Sequence, residues 1–127
     1  MKPKELALAI AGILDSKKAD KITILEVNHL TTIADYFVIA SGRNAIQVRA
    51  MAEDVEDGIA EERQIPARRK EGYNEGRWIV LDYASVIVHI FHQEEREFYN
   101  IERLWMDGSN QVPFVAAPQE VQGGEEK

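Results

Sequence analysis

A chain of 127 residues has the size of one domain and is long enough to bury a core without metal or disulfide staples. It contains no cysteine, which excludes disulfides, thiolate metal sites and a cysteine nucleophile, and fits a cytoplasmic address. Twenty-two acids against fifteen bases leave a net charge of −7, the wrong sign for direct binding of DNA or RNA through phosphates and the right one for meeting a basic protein.

The spacing predicts a helix over Lys4–Lys17, where Leu6, Ile10, Ile13 and Leu14 recur at steps of three and four and form an apolar stripe. Pro3 suits its first turn, and Lys17 and Lys18 suit the negative end of its dipole. Glu5 and Asp15 interrupt the apolar middle and no clean cleavage site follows, so this is an amphipathic helix rather than a signal peptide. No apolar run approaches the roughly 20 residues that span a bilayer. Lys21–Val27 reads as a strand, Asn28–Thr32 as a link and Asp35–Ala40 as a second, more apolar strand.

Ser41–Asn44 turns the chain, and Asn44 with Gln47 has the spacing of a capping box. A helix is expected over Ala45–Arg63, with Ala45, Val48, Ala52, Val55 and Ile59 along one face and mostly acids around the rest. Small residues in that stripe allow close packing on a sheet. Pro66 ends the region, and Ala67–Gly76, with its basic run Arg68-Arg69-Lys70 and two glycines, reads as a loop that could hold a short strand at its start.

Two β-branched runs follow, Trp78–Asp82 and Val86–Phe91, joined by Tyr83-Ala84-Ser85. So short a link joins only antiparallel neighbours, which predicts a hairpin. Both runs are almost continuously apolar, as strands are when both faces are covered. A third helix is expected over Gln93–Trp105 with Phe98, Ile101 and Trp105 inward, stopped near Gly108. The order α-β-β-α-β-β-α predicts an α/β (α+β) fold, a four-stranded mixed sheet flanked by helices. Residues 1–108 form the domain, 109–127 are expected to be a flexible tail, and Gln119–Lys127 a disordered one.

No assembled catalytic set is legible. His89 and His92, near Glu94 and Glu95, invite a metal reading, yet a separation of three on a strand puts the two histidines on opposite faces. The expected outcome is no metal site. Ser41-Gly42 before a helix lacks the pattern of a phosphate-binding loop, and Asp82 has no acidic companion two residues on, as paired carboxylates on a strand would need. Trp78, beside Arg77 at a strand start, has the character of a partly exposed interface anchor. Tyr99 falls off the stripe of its helix, Tyr83 lies in the link and is expected to be exposed, and Glu94, Glu95, Glu97 and Glu102 make the third helix acidic.

The pieces Asp35–Gly42, Glu71-Gly72, Trp78–Tyr83, Val88–Phe91, Arg96–Tyr99 and Leu104-Trp105, in that order, resemble the Iojap family of ribosomal silencing factors, RsfS. The resemblance implies a fold related to nucleotidyltransferases without their active site, hence no enzyme activity and no cofactor. It implies binding to a large-subunit ribosomal protein of the L-fourteen family, steric blocking of subunit joining when nutrients run low, and homodimers off the ribosome. Trp78 carries over from the family motif as the contact anchor. Asp82, Tyr83, Glu95, Tyr99 and Glu102 are added around it from expected exposure and charge. Two competing expectations stand beside this reading. One is a metal-dependent nucleotidyltransferase or phosphate-binding hydrolase using Ser41-Gly42 with Asp35 or Asp82. The other is an RNA binder using Arg68, Arg69 and Lys70.

Overall fold

A computed structural model describes residues 2–115. Helix α1 (Pro3–Ser16) leads through a lysine-rich turn to strand β1 (Asp20–Glu26), and a longer link leads to β2 (Tyr36–Gly42). Helix α2 (Ala45–Arg63) has the expected bounds. Asn44 caps it, its side chain accepting from the Gln47 amide at 2.8 Å, while Gln47 reaches back to accept from the Arg43 amide at 2.7 Å. Four short elements and the hairpin complete the described residues: β3 (Arg69–Glu71), β4 (Trp78–Asp82), β5 (Val86–His92), α3 (Gln93–Tyr99), α4 (Ile101–Trp105) and β6 (Gln111–Val112).

The sheet is mixed and six-stranded rather than four-stranded, in the order β3-β4-β5-β2-β1-β6. Its centre is a parallel pair, with Tyr36 opposite Val86 and Gly42 opposite His92. The hairpin β4–β5 and the remaining pairings are antiparallel. The two added strands are edge strands of three and two residues, too short to show a period in the sequence. Because β6 pairs with β1 and Asn110 is buried, the chain stays docked beyond Gly108. The expected disorder of Gln119–Lys127 lies outside the described residues.

Both long helices lie on one face. Leu6, Ile10 and Leu14 of α1 and Val48, Met51, Val55 and Ile59 of α2 pack with Ile24, Val38, Ile79, Leu81, Val88 and Ile90 of the sheet. A Cβ on Gly58 would stand 2.7 Å from the Ile13 side chain, so the two helices meet closely where α2 has no side chain. The opposite face has a thinner cover. Leu25, Phe37, Ile39 and Phe91 point there, and the covering groups are Ile101, Trp105 and Trp78.

Two expectations fail here. The third helix is broken at Asn100, which sits at φ 45°, ψ 55° and ends α3. Asparagine tolerates this left-handed region better than most residues. The break rotates the two halves apart, so Ile101 is buried while Phe98 is 80% exposed, and the expected Phe98/Ile101/Trp105 stripe does not exist. Tyr83, expected in an exposed link, is 5% exposed and packs in the core under the helices. The link is so tight, with Ala84 at φ 70°, that its first side chain turns inward.

Gly72 takes φ +80° where the chain leaves β3, and a Cβ there would collide with the Trp78 carbonyl. Gly72→Ala is expected to lower unfolding free energy by about 2–4 kcal/mol, read from urea denaturation at unchanged slope.

Candidate functional site

The face opposite the two long helices carries a continuous aromatic belt. On β4 the even-numbered residues Trp78, Val80 and Asp82 point to this face, and register sets them opposite Phe91, His89 and Ile87 of β5. Phe37 and Ile39 of β2 extend the row. Trp78 stacks on Phe91 with ring centres 4.8 Å apart and meets Tyr99 at 4.9 Å. Tyr99 meets Phe98 edge-to-face at 5.0 Å, and at the other end Phe37 meets His89 and Trp105 at 5.0 and 5.1 Å. The belt therefore runs from α3 across three strands to α4. At its α3 and α4 ends Phe98, Tyr99, Leu104 and Met106 are exposed to between 39% and 80%.

His89 sits within the belt. The Trp78 indole N–H donates to its Nδ1 at 3.2 Å, so the neutral ring carries its proton on Nε2. Burial pushes the imidazole pKa down to about 4, and the buried Nε2 has no hydrogen-bond partner among the described residues.

Arg96 fixes the α3–α4 corner that presents Phe98, Tyr99 and Leu104. Its buried guanidinium donates to Glu102 of α4 twice, at 2.8 and 3.0 Å, and to the Asp20 carbonyl, Ser41 Oγ and Thr23 Oγ1 at 3.1–3.3 Å. Those five bonds use the five N–H groups of an arginine. The β1 register shifts between Asp20 and Thr23, with Lys21 at φ 54°, and this irregularity admits the guanidinium. A cleft of about 530 Å³ beside it is lined by Asp20, Ser41, Gln93 and Glu97, but Arg96 has no donor left for a ligand there.

Trp78 and Tyr99 come together as one cluster. Glu95 is adjacent, but Arg77 Nε donates to it at 2.6 Å, and that hydrogen bond lowers the Glu95 pKa. Glu102 is committed to Arg96. Asp82 shares the Trp78 face but lies four residues along β4, about 13 Å away at the rise of a strand. Burial pushes its pKa up, and the Ala84 amide with Arg68 outweighs this, leaving it below the usual range. Tyr83 faces the other layer, and burial pushes its phenol up to about 12. The sequence missed His89, Phe98 and Leu104. The period-two pattern of β4 and β5 could have put His89 beside Trp78, whereas Phe98 and Leu104 could not be read outward without the break at Asn100.

The groups proposed for chemistry do not converge. Asp35 precedes β2 and Ser41 lies near its end, six residues or about 20 Å apart, and Asp82 is at the Asp35 end. The donor atoms of His92, Glu94 and Glu95 lie within 4.8 Å of one another. However, His92 Nδ1 accepts from the Glu94 amide to cap α3, and Arg77 pairs with both glutamates. Arg68 is paired to Asp82 and Lys70 to Glu56 at 3.0 Å, so the basic run is largely compensated. Among the described residues no helix is long and apolar enough to cross a membrane.

The family model described as "Ribosomal silencing factor during starvation" matches residues 1–127. The chain belongs to the ribosomal silencing factor family. It is 38% identical to the ribosomal silencing factor RsfS of Halalkalibacterium halodurans over 107 residues, 84% of this chain and 91% of that one. The mouse mitochondrial assembly of ribosomal large subunit protein 1 is 29% identical over 98 residues, 76% of this chain and 43% of that one. A crystal structure of a Chromobacterium violaceum protein superposes with a TM-score of 0.80 at 27% identity, covering 95% of this chain and 98% of that one. The names of these relatives describe a regulatory and ribosome-related family rather than a catalytic one.

The buried imidazole gives the protein an acid-side instability. Its folded pKa of about 4 lies below the ordinary 6.5, so His89 contributes full stability above pH 6.5 and loses it as pH falls toward 4. Between pH 7 and pH 4 the protein should lose about 3 kcal/mol more unfolding free energy than its His89→Gln variant, measured by chemical denaturation at each pH.

Proposed function

We propose that this chain silences ribosomes by docking the aromatic face opposite its long helices on a basic protein of the large subunit, of the L-fourteen family that the sequence resemblance implies. Bound there, it stands where the small subunit must sit and blocks joining sterically, repressing translation when nutrients are scarce. The action needs no turnover and no cofactor. It takes place in the cytoplasm, and the same face closes a homodimer when the protein is off the ribosome.

One observation carries the reading: in a member of a silencing-factor family, Trp78 and Tyr99 sit in a belt rimmed by exposed Phe98 and Leu104. A half-buried tryptophan with apolar neighbours has the composition of an interface hot spot. Glu95 and Glu102 are already compensated by Arg77 and Arg96, so they act at the rim, with Asp82 at the far end. Tyr83 takes no part, because it is buried on the other side of the sheet.

Co-sedimentation with isolated ribosomal subunits tests the proposal. The protein should travel with large subunits alone and suppress rejoining with small ones. Trp78→Ala should weaken that binding by more than about 2 kcal/mol. A folded Trp78→Ala protein with unchanged affinity would remove the belt from the interface.

A further inference from the structure

We propose that His89 is the positioning residue that sets how Trp78 meets its partner, an inference that rests on the docking role of the aromatic face. Trp78 lies directly opposite Phe91 across the hairpin, and His89 is its diagonal neighbour, opposite Val80. To reach His89 Nδ1 at 3.2 Å the indole must lean along β4, over the sheet, instead of standing out into solvent. Phe91 stacks on the ring at 4.8 Å and Tyr99 meets it, tilted, at 4.9 Å.

The histidine is otherwise hard to account for. It is 9% exposed among Phe37, Phe91 and Trp78, where a leucine or phenylalanine would fill the space without leaving Nε2 buried and unpartnered. Among the described residues, the one hydrogen bond its side chain makes is accepted from the indole. That bond turns the pyrrole edge of Trp78 inward and satisfies its donor within the protein. A partner therefore meets the benzene edge of the ring and need offer an apolar or aliphatic group there, not a hydrogen-bond acceptor. Without His89 the indole N–H would have to find water, and the ring would leave its place over the sheet.

The test uses the full chain and purified large ribosomal subunits. Affinity is measured for the unsubstituted protein, His89→Leu, His89→Gln, Trp78→Phe, and the Trp78→Phe/His89→Leu double variant. In parallel, emission and anisotropy of Trp78 are recorded in a Trp105→Phe background. His89→Leu should weaken binding about tenfold, and His89→Gln, whose side-chain oxygen can accept from the indole, should recover most of that loss. In the Trp78→Phe background, which has no indole N–H to hold, His89→Leu should cost less than about twofold. Trp78 emission should shift to the red in His89→Leu and return in His89→Gln. Equal losses in both backgrounds would reduce His89 to ordinary packing and overturn the proposal, as would full affinity in a folded His89→Leu protein. If the unsubstituted chain does not bind large subunits, the docking role falls, and unchanged Trp78 emission and anisotropy in His89→Leu would overturn the positioning role independently.

Discussion

The parallel pairing of β2 with β5 governs the rest of the structure. Two parallel neighbours cannot be joined by a hairpin, so the chain between them must cross over a face of the sheet. That crossing is α2, and it lies on the same face as α1. With both long helices on one side, the other side of a nearly continuous apolar sheet is left to short elements. The β4–β5 hairpin then adds Trp78, His89 and Phe91 to the uncovered side by simple alternation. The aromatic face is thus a consequence of topology together with side-chain parity. A one-residue slip of β4 would send Trp78 into the helical core.

What covers the second face is held by an ion pair. Arg96 joins α3, α4, the irregular start of β1 and the end of β2 through five donors. A buried guanidinium is tolerable when every donor is matched, and breaking such a set costs far more than an exposed pair contributes. The α3–α4 corner can therefore expose Phe98 and Leu104 and still be rigid. Charge is distributed differently. α2 alone carries six acids against two bases, so the layer facing away from the belt holds much of the net negative charge. In the proposed docking, long-range attraction to a basic ribosomal surface comes from the whole molecule, while the contact itself is aromatic and aliphatic.

Much of this could be read from residues alone, and the failures have physical causes. The hairpin, the bounds of α2 and the mixed sheet follow from β-branched runs, a three-residue link and a well-spaced stripe. The edge strands β3 and β6 are shorter than any period. The break at Asn100 depends on one residue adopting a left-handed conformation, which the apolar spacing of Phe98, Ile101 and Trp105 argued against. Tyr83 was misread because a residue in a link counts as exposed until the tightness of the turn is known. Trp78 was singled out at a strand start beside Arg77 and by the family motif, and Tyr99 as lying off a helical stripe that the break at Asn100 abolishes. The commitment of Glu95 and Glu102 to arginines, and of His89 to Trp78, depends on contacts between elements and leaves no local trace.

The claim that the belt is the docking surface is tested most directly by hydrogen exchange of the full chain with and without bound large subunits. Slow exchange follows from buried, hydrogen-bonded backbone, so a docked face should reveal itself amide by amide. The account predicts new protection along β4, at the start of β3 and through α3 and α4, with the solvent side of α2 unchanged. Protection confined to α1 and α2, with β4 and the α3–α4 corner exchanging as in the free protein, would contradict it.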